Sequence, residues 1–309
     1  MKISVNNKQA ITIVIVIIVT VLITLAIVVL VVWGGFYGLV DRTIRNISTL
    51  TMNKCRDSTI TIRESIIINP TAPHVYDKKL ATCLLDAGTA VSSAYCKDDI
   101  PIPKPFNRYQ VLYGLDNRNR QNLYAYIFWA DNSNTAAIIF AGTYNESQWY
   151  SNLRLKLVNS QYLTGSPAAC LIHRGFSEIY SAVRPQLWQW WRDFGVGKIN
   201  YLAISGQSLG GALSTICAYD FFNAGPTIVH YSFASPRLGN REFAAEFNSR
   251  LPKSIRVYNT EDVVPTVPGP VGKNAIYEHV GLTINNKPFT KNLGTIWDNH
   301  VTAYHDLPN

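Results

Sequence analysis

The chain is poor in charge, in paired cysteines and in basic clusters, and each shortage removes a class of function. Only 16% of its 309 residues are Asp, Glu, Lys or Arg, and none of these occurs from Gln9 to Val40. Lys and Arg outnumber the acids to give a formal charge of +8. These residues are scattered, and no basic block of about five or six appears, so a nucleic-acid partner lacks a supporting motif. The five cysteines, Cys55, Cys83, Cys96, Cys170 and Cys217, include no C-x-x-C pair. A zinc site therefore has little to stand on, and the sequence calls for no metal and no cofactor. Cys217 falls in a small, apolar helical stretch and reads as a buried thiol. The other four allow up to two bridges in an oxidising compartment, with the pairing open. Internal repeats and low-complexity tracts are absent.

What is present is apolar. Hydrophobic residues make up 47% of the chain, enough for one large domain with a sizeable core plus an appendage. The appendage lies at the start. Ala10 to Trp33 is Ile, Val and Leu almost throughout, with three threonines. As a helix this run would span about 36 Å, against roughly 30 Å for a bilayer's hydrocarbon core. It is too long for a cleaved signal's apolar region, and no A-x-A site follows. Trp33, Phe36 and Tyr37 cluster at its far end as an interfacial belt would. Residues 1–40 are read as a cytoplasmic tip and an uncleaved transmembrane signal anchor. Residues 41–75 are read as a stalk, and 76–309 as the domain, on the lumenal or extracellular side. Sequons at Asn46 and Asn145 agree with that side.

Within 76–309, strand-like and helix-like stretches alternate. Lys79 to Tyr95 has helical spacing. Residues 122–129 and 135–141 read as a hairpin-like pair of strands. Ile179 to Phe194 reads as an amphipathic helix. Further strands fall at 199–204, 228–233, 254–258 and 277–284. Such alternation implies a largely parallel sheet covered by helices on both faces, an α/β fold.

The chemistry centres on Tyr201 to Ala218. A short apolar strand leads into Gly206-Gln207-Ser208-Leu209-Gly210, a G-x-S-x-G, and a small-residue helix follows. Strand, sharp turn and helix form the context in which this motif lifts a serine hydroxyl off a sheet. Glycines keep side chains out of the bend, and N–H groups at the helix start can face an oxyanion. A serine is a poor nucleophile without a base and an orienting carboxylate. In sheets of this kind the chain order is serine, acid, histidine. Asp262, in a loop after the strand ending Val257-Tyr258-Asn259, is the best-placed acid. Of the six histidines, His74, His173 and His230 precede it. His279 lies inside an alternating strand pattern. His300 and His305 share the polar tail, and spacing alone does not separate them. Gly142-Thr143, directly after a strand, is the candidate second oxyanion donor, with both an N–H and a hydroxyl at Thr143.

From about Ala81 onward the chain resembles the class 3 lipases, the fungal triacylglycerol lipase type of α/β-hydrolase. Seven blocks recur in order. They are Ala94-Tyr95-Cys96, Phe140-Ala141-Gly142-Thr143, Ile172-His173-Arg174-Gly175-Phe176, Gly206 to Gly211, Phe233 to Asn240, Val257 to Pro265, and Tyr277-Glu278-His279-Val280-Gly281. The resemblance implies Ser208 as nucleophile, Asp262 as acid and His300 as base, because His300 and Tyr304 resemble the family's terminal H-x-x-x-Y. It implies an oxyanion hole from Thr143 and the Leu209 N–H, and a lid over Asn145 to Leu157 with Trp149 in it. Ala141 stands where the family usually has arginine, and Gln207 where it commonly has histidine. The activity implied is a membrane-anchored serine carboxylic-ester hydrolase acting on lipid esters at a membrane or droplet surface, a triacylglycerol lipase first. The alternatives are a phospholipase A1 and a catalytically inactive lipid-binding surface module.

Overall fold

Successive side chains of a strand point to opposite faces, so the continuous apolar runs of this chain form strands buried on both faces. The computed structural model describes residues 61–94, 100–115, 119–143, 156–163, 165–269, 277–285 and 299–308. Seven strands form the main sheet: β1 (Arg108–Leu115), β2 (Gln121–Trp129), β3 (Thr135–Phe140), β6 (Tyr201–Gln207), β7 (Thr227–Phe233), β9 (Ile255–Tyr258) and β11 (Leu282–Asn285), in that spatial order. β1, β2 and β3 pair antiparallel, and from β3 onward every pairing is parallel. Ala136, Ile138 and Phe140 of β3 enter one core with Leu202 and Ile204 of β6, while Ala137, Ile139 and Ala203 enter the other. A small second sheet joins β4 (Leu157–Val158), β5 (Ile172–His173), β8 (Gly239–Asn240) and β10 (Tyr277–Glu278), in the order β10-β8-β5-β4.

Helix α1 (Lys78–Ser93) covers one face, and α2 (Arg174–Trp190) and α3 (Leu209–Asp220) cover the other; α4 (Arg241–Arg250) follows β8. Asp77 caps α1 by accepting from the N–H groups of Lys79 and Leu80. The cap of α2 is an imidazole: Nδ1 of buried His173 accepts from Gly175 and Phe176. α2 starts five residues earlier than its periodicity suggests and ends in a wide π-type turn, Trp191–Gly195. Asp220, at the end of α3, accepts from Tyr180, Trp188 and the Nε and Nη2 of Arg184, which ties α3 to α2.

Three expectations change. The strand expected over 277–284 is two strands in different sheets, because Gly281 takes φ +85° and turns the chain between them. The boundary expected at 75/76 falls inside packed structure: Ile66 and Ile68 lie in the α1-side core, and the Ile66 N–H donates to the Lys104 carbonyl at 2.7 Å. Two disulfides among four cysteines are excluded, since Cys83, Cys170 and Cys217 are free, buried thiols. Burial pushes all three up, Cys83 to about 12. Among the described residues no helix is long and apolar enough to cross a membrane; the run at 10–33 lies outside them.

Candidate active site

Backbone packs closely against backbone where β6 turns into α3. Ser208 sits at φ 60°, ψ −125°, a conformation that costs an L-residue about 1–3 kcal/mol. Its neighbours leave no alternative. A Cβ on Gly206 would lie 2.3 Å from the Gly210 carbonyl, and one on Gly210 would lie 2.4 Å from the Phe140 carbonyl oxygen. The backbone of α3 therefore presses on the turn and on β3 at once. Hydrogen bonds on both sides hold the strained residue, from the Ser208 N–H to the Phe233 carbonyl and from the Gly211 N–H to the Ser208 carbonyl, each 2.9 Å.

His300 reaches this serine from 92 residues away, with Nε2 2.9 Å from the Ser208 Oγ. Its Nδ1 lies 2.9 and 3.0 Å from the two oxygens of Asp262. An ionised carboxylate only accepts, so Nδ1 carries the proton and Nε2 is left to accept from the serine hydroxyl. All three side chains are buried.

The carboxylate is itself held. Oδ1 accepts from the Val264 N–H, and Oδ2 accepts from the Tyr304 hydroxyl, both at 2.9 Å. Burial first, then the nearby charge of Asp262, pushes the Tyr304 hydroxyl far above its ordinary range, so it stays a donor. That hydroxyl accepts in turn from the Asn259 N–H at 2.9 Å. Two side-chain amides fix the backbone around the histidine. Gln207 donates to the His300 carbonyl at 3.0 Å, and Asn259 donates to the Asn299 carbonyl at 3.1 Å.

Beside the serine, the chain leaving β3 passes close: a Cβ on Gly142 would lie 3.8 Å from the Ser208 Cβ. The Gly142 N–H donates to the Ser92 hydroxyl at 2.8 Å, which donates to the Gly88 carbonyl of α1. This bond fixes the loop that carries half-buried Thr143. Leu209, the first residue of α3, offers an N–H that has no partner within its own helix by helix geometry.

Of the residues singled out from sequence, Ser208, Asp262 and His300 come together, with Leu209 following the serine and Thr143 three residues beyond the strand that packs beside it. His305 does not join them; it is exposed. Nor does His279, which pairs with the Pro265 carbonyl at 2.7 Å, or His230, which lies between the Ser214 and Ser254 hydroxyls. Burial lowers both imidazoles to about 3. Trp149, Asn145 and Asn46 lie outside the described residues. The bonds made by Gln207, Asn259, Ser92 and Tyr304 escape a reading by motif, because each is a tertiary contact. Among the described residues no group of three or more His, Cys, Asp or Glu side chains could hold a metal ion.

The family model for lipase (class 3) matches residues 137–272, a span that includes Thr143, Ser208 and Asp262. A chloroplastic phospholipase A(1) of Arabidopsis thaliana is 30% identical over 168 residues, 49% of this chain and 37% of the relative. A secreted mono- and diacylglycerol lipase of Penicillium cyclopium is 30% identical over 141 residues, 45% of each chain. The chain thus spans less than half the length of these curated relatives. Among solved structures, a triacylglycerol lipase described as having a serine-protease triad at its catalytic centre superposes with a TM-score of 0.51. It is 21% identical and covers 69% of this chain and 82% of its own. At that identity the likeness speaks for the fold. Residues 137–272 thus match the class 3 lipase model, and the fold is of the α/β-hydrolase lipase type.

Proposed function

We propose that this chain is a serine carboxylic-ester hydrolase acting on lipid esters. The observation that carries the reading is the continuous line Ser208 Oγ, His300 Nε2, His300 Nδ1, Asp262, with every link at 2.9–3.0 Å. In the reaction, Ser208 Oγ attacks the ester carbonyl as its proton passes to His300 Nε2. The imidazolium is stabilised by Asp262, which keeps its own negative charge. The tetrahedral oxyanion is met by the Leu209 N–H and by the N–H and hydroxyl of Thr143, donors that removal experiments elsewhere value at about 2.7–4 kcal/mol each. His300 then protonates the leaving alcohol. Water, activated by the same imidazole, releases the acid from Ser208.

The first substrate class is a triacylglycerol or a partial glyceride, in line with the fungal relative. A phospholipid cleaved at its sn-1 ester is the second reading, supported by the equally similar plant phospholipase A(1). An inactive lipid-binding module is the reading these would exclude. The run Ala10 to Trp33 supports an anchor that holds the domain at a membrane, on its lumenal or extracellular side. Carbonate extraction of membranes from expressing cells tests the anchor, which fails if the full chain is released.

The full chain, tested on emulsified triglyceride and on phospholipid vesicles and treated with a fluorophosphonate, should turn over one lipid and be labelled at Ser208. Ser208→Ala should lose both signals, with turnover down about 10⁴-fold or more. Turnover by the alanine variant at the parent rate sinks the assignment.

A further inference from the structure

The short segment that carries His300, residues 299–308, contains one 3-10 turn, Thr302–His305. Gln207 and Asn259 hold one side of it, as described above. The other side is held from far earlier in the chain. Arg63 Nη1 donates to the His305 carbonyl at 3.1 Å, and the Tyr76 hydroxyl donates to the Pro308 carbonyl at 2.9 Å. Ile66 and Ile68 lie in the same core cluster as Ala303, Tyr304 and Leu307.

Arg63 is a fixed strut. Its N–H and Nε donate to Asp86 Oδ2 at 3.0 and 2.9 Å, and its Nη2 donates to Oδ1 at 2.8 Å. Asp86 is a buried residue of α1. A guanidinium gripped in this bidentate way has one remaining arm aimed at the histidine turn. The same helix, α1, also fixes the Gly142 loop through Ser92. Tyr76 packs against Tyr231 with ring centres 6.3 Å apart, and burial pushes its hydroxyl up to about 12, so it remains a donor.

We infer that residues 61–76 belong to the catalytic apparatus, with Arg63 and Tyr76 as positioning residues that set where His300 stands. The inference rests on the reading of His300 as general base. A base that drifts by about 1 Å from its nucleophile loses on the order of 100-fold in rate. His300 stands two residues ahead of the 3-10 turn, whose short backbone gives weak resistance to drift of the segment. The bonds from Arg63 and Tyr76 add resistance to drift of the segment that carries His300.

The test uses the full chain with Arg63→Ala, Arg63→Lys and Tyr76→Phe, assayed on soluble p-nitrophenyl butyrate alongside thermal melting. Arg63→Lys keeps the charge pair with Asp86 but gives up the fork that spans to His305. Its melting temperature should fall less than that of Arg63→Ala, while kcat falls about tenfold and KM changes less than twofold. Tyr76→Phe removes one hydroxyl and should lower kcat about threefold in a fully folded protein. Arg63→Ala should lose both kcat and melting temperature. If Arg63→Lys and Tyr76→Phe both keep kcat within twofold of the parent, the segment is only part of the fold. A second readout separates this inference from the hydrolase reading. The His300 Nδ1–H proton resonance should shift or broaden in Arg63→Lys. Should the parent hydrolyse no ester while that resonance responds, the hydrolase reading falls and the positioning role stands. An unmoved resonance ends the positioning role.

Discussion

The serine and the histidine that meet at the carboxyl end of the sheet are held there by different means. Ser208 is fixed by backbone against backbone. Strand, turn and helix approach so closely that two glycines cannot carry a methyl group, and the strain at the serine is locked in by neighbours on both sides. His300 is fixed by side chains, each reaching in from another part of the chain: Asp262, Gln207, Asn259 and, further out, Tyr304, Arg63 and Tyr76. Steric fixing is all-or-none. Hydrogen-bonded fixing is graded, because each bond contributes about 0.5–1.5 kcal/mol, or about 1.5–3 where a charge takes part. The position of Ser208 should therefore fail abruptly on substitution and that of His300 by degrees.

The largest break is expected at Gly206. In Gly206→Ala the new methyl meets the Gly210 carbonyl, which is backbone and cannot swing aside. Fluorophosphonate labelling of Ser208 should slow by about 100-fold or more, since the serine must move by a large fraction of an ångström. Labelling at the parent rate would show that the bend relaxes without cost. A middle effect is expected at Tyr304. Tyr304→Phe takes one donor from Asp262 and leaves the buried Asn259 N–H without its acceptor. Stability should fall by about 1–3 kcal/mol in urea titrations, and kcat by about tenfold with KM little changed. The smallest effect is expected at Gln207, whose amide holds a carbonyl rather than the imidazole. Gln207→Ala should lower kcat only about threefold. If Gln207→Ala and Gly206→Ala give equal losses, the contrast between steric and graded fixing collapses.

That contrast also explains what the sequence revealed. The bend around Ser208 is local, so strand, G-x-S-x-G and helix are legible within twenty residues. The parallel sheet follows from alternating strands and helices in the same way. The choice between His300 and His305 is not legible by spacing, because it depends on which face of a short turn meets the serine. Gln207 looked like a departure from the family pattern. Its task became visible only with the His300 carbonyl 3.0 Å away. β1 went unread: it is an edge strand, and its burial is mixed rather than cleanly alternating. Residues 61–75 read as stalk because their composition is polar, yet they held a usable signal. Ile66, Ile67 and Ile68 are 1%, 68% and 8% exposed, the two-residue period of a segment lying on a core. Gly281 in the left-handed region split a single alternating stretch between two sheets, and alternation by itself carries no mark of such a split.

The three buried thiols have a practical consequence. Cys83, Cys170 and Cys217 are sealed in the interior and held in their protonated form, whereas alkylating reagents need a thiolate within reach of solvent. Any cysteine that takes up a maleimide quickly at neutral pH is then Cys55 or Cys96.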